Sequence, residues 1–185
     1  MTPSAFTDAH ANVARELANA SLRALASEGN VHPGTLIAAT ARMAGTYLFR
    51  SFDLDVSGAQ PGEVVLSVAA NTQVPVLIRI AAAIVTKAGI ALDDKTAALP
   101  VQPQHTPRRP FLDTQRLLEP SYRAITGGSG MSDYEGARAS AVAVGMLIPR
   151  CIKVLEANEA FRIAAYAFVE GAKTAPDPVQ WERPQ

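Results

Sequence analysis

Residues 34–52 contain no acidic side chain and only two cations, Arg42 and Arg50. The run follows Pro33, whose missing N–H costs nothing in a first helical turn. Its polar positions Thr35, Arg42, Thr46 and Arg50 fall at steps of seven, four and four, forming one narrow stripe. A helix with so little polar circumference has to be covered on most sides. Most of the remaining chain must therefore supply helices that wrap it.

The rest of the sequence supplies candidates. Val76 to Lys87 reads as a second nearly all-apolar helix ending at Gly89, with Pro75 breaking or kinking the chain before it. Phe6, Ala9, Val13, Leu17, Ala20 and Ala24 share one helical face, so a helix is predicted over 7–28. Thr7 would cap it, and Gly29-Asn30 would stop it. Helices are also predicted over 112–125, from Ser132 to about Ile148, and over 159–173. Ser132 and Glu135 have the spacing of a capping box, and Pro149 is expected to kink or end the helix it closes.

Glu63–Thr72 is ambiguous. Val64-Val65-Leu66-Ser67-Val68 suits a strand, yet 64, 65, 68, 69 and 72 share a helix face. Helix is favoured here, since no partner strand is evident. The expectation is an all-α fold of six to eight helices around the pair 34–52 and 76–88. The alternative is α+β with a short strand near 64–68. A single domain is expected over 1–175, followed by a Pro-rich tail, 176–185, that is loose or pinned by Trp181. Four prolines make 90–110 irregular: disordered, a lid, or an arm toward another subunit.

Composition narrows the function classes. Alanine fills 34 of 185 positions, the best helix former because it loses no side-chain entropy. Charged residues make up only 18%, and 17 basic side chains balance 17 acidic ones. No global field steers such a chain to nucleic acid or to acidic membranes. Low charge at neutrality favours self-association, so a homodimer is expected. Arg108-Arg109 is the one adjacent basic pair, read as a solvated connection more readily than as a phosphate contact. No secretory signal or membrane span is predicted, and Cys151, the lone cysteine, can form no intrachain disulfide. The cytoplasm is the expected address.

No motif for chemistry survives inspection, and no catalytic, cofactor-binding or metal-binding residue is assigned. Ala137, Ala141 and Gly145, with Gly136 and Ser140 beside them, form a small-residue stripe suited to close packing within the chain or to a subunit interface. Gly127-Gly128-Ser129-Gly130 lacks the P-loop ending and is followed by Asp133 and Glu135, so it reads as a turn. His10, His32 and His105 show no metal-ligand spacing, and Cys151 reads as a core thiol. Arg79 stands out within Val76–Val85, where a guanidinium must snorkel to water, pair with a carboxylate or meet a bound anion. Arg50 and Arg138 raise the same question, and a ligand site would be sought where an arginine meets Tyr47, Tyr122 or Tyr134. The function expected first is self-association or protein contact without catalysis. Second comes binding of an acidic or apolar small molecule, and last an enzyme with a dispersed site.

Overall fold

His32 starts the central helix: its Nδ1 accepts from the Thr35 amide at 3.1 Å, satisfying a first-turn donor that has no partner within the helix. The helix that follows, α2 (Pro33–Arg50), buries every residue from Gly34 to Phe49, as its apolar circumference requires. The computed structural model describes residues 8–26, 30–56, 58–93 and 99–178. Within them α2 is joined by α1 (Asp8–Leu25), α3 (Val68–Lys87), α4 (Phe111–Gly128), α5 (Asp133–Cys151) and α6 (Ala157–Lys173). The fold is all-α, and all six helices contribute to one buried apolar cluster.

Glycine sets the closest crossing. A Cβ placed on Gly45 would lie 2.6 Å from both the Ala172 amide and the Phe168 carbonyl, and Gly171 in turn sits against the Arg42 carbonyl. α2 and α6 therefore touch backbone to backbone. The stripe on α5 serves the same purpose elsewhere. Ala137, Ala141 and Gly145 are fully buried, Gly145 lies against Ala81 and Ile84 of α3, and Gly136 lies against the Tyr47 ring. Its use is packing within the chain.

α3 departs most from expectation. The chain stays extended to Ser67, whose hydroxyl caps the helix by accepting from the Ala70 amide at 3.0 Å. Residues 62–65 lie along 173–175: Gly62 donates to the Ala175 carbonyl, Ala175 to Glu63, and Val65 to Lys173. This pairing draws 63–67 out of the helix expected there, but it amounts to one isolated bridge, Val64–Thr174. Pro75 does not break the helix, which runs through it. Pro75 and Asn71, whose carbonyl loses its donor, are both on the exposed side, where water can replace the bond. Nor is α3 central. It buries only Ala70, Val74, Leu77, Ala81 and Val85, one face laid against α5 and α6.

Smaller differences have local causes. α4 continues through Gly127 and Gly128, and the chain turns at Gly130, which has φ of +66°. Pro149 sits inside the last turns of α5, whose start shows the full Ser132–Glu135 capping box. Val13, Leu17 and Ala20 of α1 are buried as expected. Phe6, Thr7, Gly29 and Trp181 lie outside the described residues.

Residues 99–110 are no loose loop: with one short 3-10 helix at Pro103–His105, they form a strap across the starts of α2 and α6. Five bonds clamp it. Glu159, 1% exposed, accepts from the Gln102 amide at 2.6 Å and pairs with His105 Nδ1 at 2.9 Å. His32 Nε2 donates to the Gln104 carbonyl at 2.7 Å; a carbonyl only accepts, so the ring proton is on Nε2. The Arg108 amide donates to Thr35 Oγ1 at 2.9 Å, and Arg42 donates to the Arg109 carbonyl at 2.6 Å. Gly34 lets the strap lie flat, since any Cβ there would enter the His105 carbonyl.

Candidate functional site

The meeting of arginine and tyrosine anticipated from sequence is present twice, at Tyr134 with Arg138 as named there and at Tyr47 with an arginine that was not singled out. Arg123, from α4, lies over the Tyr47 ring at 4.6 Å, and Arg138 lies over Tyr134 at 5.9 Å. Tyr47 and Tyr122 are stacked with centroids 6.3 Å apart. Their hydroxyls are committed inside the protein: Tyr47 to Thr126 Oγ1 at 2.9 Å, Tyr122 to Ser21 Oγ at 2.8 Å. Burial pushes the Tyr47 phenol up to about 12, against the opposing pull of the Thr126 bond and of Arg123. Burial likewise raises Tyr122.

The arginines of this region are held by carboxylates. Arg42 makes a bidentate pair with Glu170, at 2.6 and 3.2 Å. Arg50 pairs with Glu119 at 3.0 Å and donates to the Asp177 carbonyl. Arg123 bonds Asp133 and Glu119. These phenols and guanidiniums hold α2, α4 and the segment at 177 together, and they work as structure. Arg42–Glu170 and Arg123–Asp133 were not foreseen, because their acidic partners lie on helices whose relative placement only the fold reveals.

The other singled-out groups are dispersed. His32 and His105 both hold the strap. Among the described residues no group of three or more His, Cys, Asp or Glu side chains could hold a metal ion. Cys151 is buried, and desolvation raises its thiol despite nearby Arg150, which leaves little thiolate for nucleophilic attack. Gly127–Gly130 ends α4 and turns the chain.

Arg79 is exposed on the outer side of α3, and no ion pair involves it among the described residues. Of the three outcomes expected for it, reaching water is the one seen, because α3 itself lies outside. The outer side it shares is mixed: Asn71, Thr72, Thr86 and Lys87 are exposed with it, and apolar side chains lie among them. Val68, Pro75 and Ala83 on α3 are exposed, while Val76, Ile78, Ile80 and Ile84 are only partly covered. Leu66 and Val68 are each 81% exposed, Val64 72%, and on the adjoining α6 Tyr166 is 74% exposed. Among the described residues α3 is also the one helix long and apolar enough to cross a membrane, by length and composition alone.

A second feature is a cleft of about 310 Å³ at the strap's end. It is lined by His32 and Thr35 at the start of α2, by Arg108, Arg109 and Pro110, and by Asp113 in the first turn of α4. Leu25 of α1 closes it on the apolar side. Compared with protein-family models, curated proteins and solved structures, the chain matches none.

Proposed function

We propose that this protein acts through self-association, a second copy covering the outer face of α3. The observation that carries the reading is a 20-residue helix of predominantly apolar composition that buries only five side chains within its own chain. Val64, Leu66 and Val68, each at least 72% exposed, lie just before and at the start of that helix, and exposed apolar side chains gathered in one stretch mark an interaction site. At 1.5 Å per residue α3 is about 30 Å long, and the extended segment before it adds about 15 Å. A ridge of that length and about 10 Å width offers about 450 Å², the size of a small, reversible contact rather than the roughly 800 Å² per partner of a standard interface.

Charge favours a second copy over an acidic or basic partner. The net charge is zero, and residues 64–78 carry no charged side chain at all. An antiparallel crossing about a two-fold axis at Pro75 sets Val68 against Ala82 of the second copy and Arg79 against its Asn71. The two Arg79 side chains then stand about 12 Å apart along the axis, beyond a Debye length of about 8 Å at physiological salt. The proposed role is contact rather than catalysis, in the reducing cytoplasm that suits a buried free thiol.

Sedimentation equilibrium tests this directly. The wild type is expected to be a dimer, and Ala83→Glu, an exposed change that leaves the fold intact, should weaken association at least tenfold. Pro75→Cys should form a disulfide-linked pair under mild oxidation, because a residue on the axis meets itself. A wild type that stays monomeric at all concentrations overturns the proposal. So does cross-linking no faster than that of a cysteine placed at Arg15 on α1, or a requirement for lipid or detergent, which would make a membrane the occupant.

A further inference from the structure

We propose that the cleft between the strap and the first turn of α4 binds small phosphate monoesters that also carry a hydroxyl group, with Arg108 and Arg109 taking the phosphate. The site is separate from the outer face of α3 and does not depend on it.

The structure spends five bonds, several from buried side chains, to hold an exposed strap. Two of these fix the backbone of the arginines themselves: Thr35 holds the Arg108 amide, and Arg42, anchored by Glu170, holds the Arg109 carbonyl. A fixed backbone keeps two adjacent arginines at one wall of the cleft, where their guanidiniums can converge on an oxyanion. Neither guanidinium has an ion-pair partner among the described residues. The other basic group in the wall is already used: His32 accepts from Thr35 on one nitrogen and donates to the Gln104 carbonyl on the other.

Two free cations match a phosphate dianion. The volume, near the lower limit of about 300 Å³ for small-molecule pockets, suits a compact ligand and not a polymer. Asp113 supplies an acceptor on the same wall, 3.8 Å from Arg116. A ligand must therefore offer a hydrogen-bond donor there, and the hydroxyl of a polyol phosphate does so.

The test is a nuclear magnetic resonance titration with glycerol 3-phosphate, with inorganic phosphate alongside. Saturable shifts are expected at the amides of 108–113 and Thr35, with tighter binding of the ester. The double change Arg108→Ala, Arg109→Ala touches only exposed side chains and should lower affinity at least tenfold without moving the unfolding midpoint. Thr35→Val keeps both arginines, loosens the strap and should weaken binding severalfold. Shifts reproduced by sodium chloride at equal ionic strength, or binding that survives the double change, overturn the proposal. Equal affinity for the ester and inorganic phosphate removes the role given to Asp113 and with it the hydroxyl-bearing ligand class.

Discussion

Adding one methyl group at Gly45 tests the crossing on which the fold turns. The new Cβ would lie 2.6 Å from the Ala172 amide and the Phe168 carbonyl and 2.7 Å from the Gly171 carbonyl carbon, where ordinary contact begins at 3.4 Å. All three neighbours are backbone, so no rotamer change relieves the overlap. α6 has to move away from α2 by about 0.8 Å, and a gap of that size forfeits a quarter to a half of the dispersion energy along the crossing. Overpacking of this sort costs about 1–3 kcal/mol, while replacing a mid-helix glycine by alanine returns about 1 kcal/mol of backbone entropy.

We therefore expect Gly45→Ala to lose up to about 2 kcal/mol in urea unfolding followed by circular dichroism. Gly127→Ala is the control, because a Cβ there meets nothing within 4 Å. It keeps the propensity gain without the clash and should be neutral or stabilised by up to about 1 kcal/mol. If Gly45→Ala unfolds at the wild-type midpoint or above it, with an unchanged urea slope, the backbone contact does not carry the crossing.

Two further outcomes follow from titrating groups. Glu135 is held below the ordinary glutamate range by the Ser132 amide and hydroxyl, so its contribution is present above that range and is lost as acid protonates it. Ser132→Ala should cost about 1 kcal/mol near neutrality and less below pH 4, measured by urea unfolding at each pH; a pH-independent loss would refute the linkage. Tyr47, raised to about 12 by burial, keeps its proton in the folded state after an unfolded tyrosine has begun to lose it. Stability is then full below about pH 10 and falls through the interval up to 12, and the Tyr47 share of the ultraviolet phenolate signal should appear only at its upper end. Ionisation of all four tyrosines in one step near pH 10, with helicity retained, would contradict that burial.

How much of this was legible in the sequence depends on the range of the forces involved. The Ser132–Glu135 capping box and the start of α2 at Pro33 are decided within four residues, and both formed as read. The buried circumference of α2 was legible because burial on all sides leaves no alternative to apolar side chains. The strap was not: its clamps join His32 to 104, Thr35 to 108 and Glu159 to 105, separations of 72, 73 and 54 residues. Each partner taken alone is an ordinary polar residue. Four prolines excluded an α-helix over 100–110, though not the 3-10 helix that starts at Pro103, and proline content says nothing about whether such a segment is fastened.

α3 shows the converse limit. Its composition resembles that of α2, yet one is enclosed and the other lies at the surface, because apolar side chains state a preference for cover and not its source. Within this chain α5 and α6 satisfy one face of α3, through Gly145 and the Ala70–Val85 row. The other face keeps Val68, Pro75 and Ala83 in contact with solvent, and an isolated apolar surface of that extent is costly in water. Arg79 fits the same logic. On a core helix it would have demanded an internal carboxylate, whereas on an exposed helix its long stem can lie over neighbouring apolar side chains while the guanidinium stays hydrated. If a second copy covers α3 as proposed, the residue that looked most like a ligand contact in the sequence becomes the polar member of that interface, and the cations proposed to meet a ligand are instead the exposed Arg108 and Arg109 on the strap.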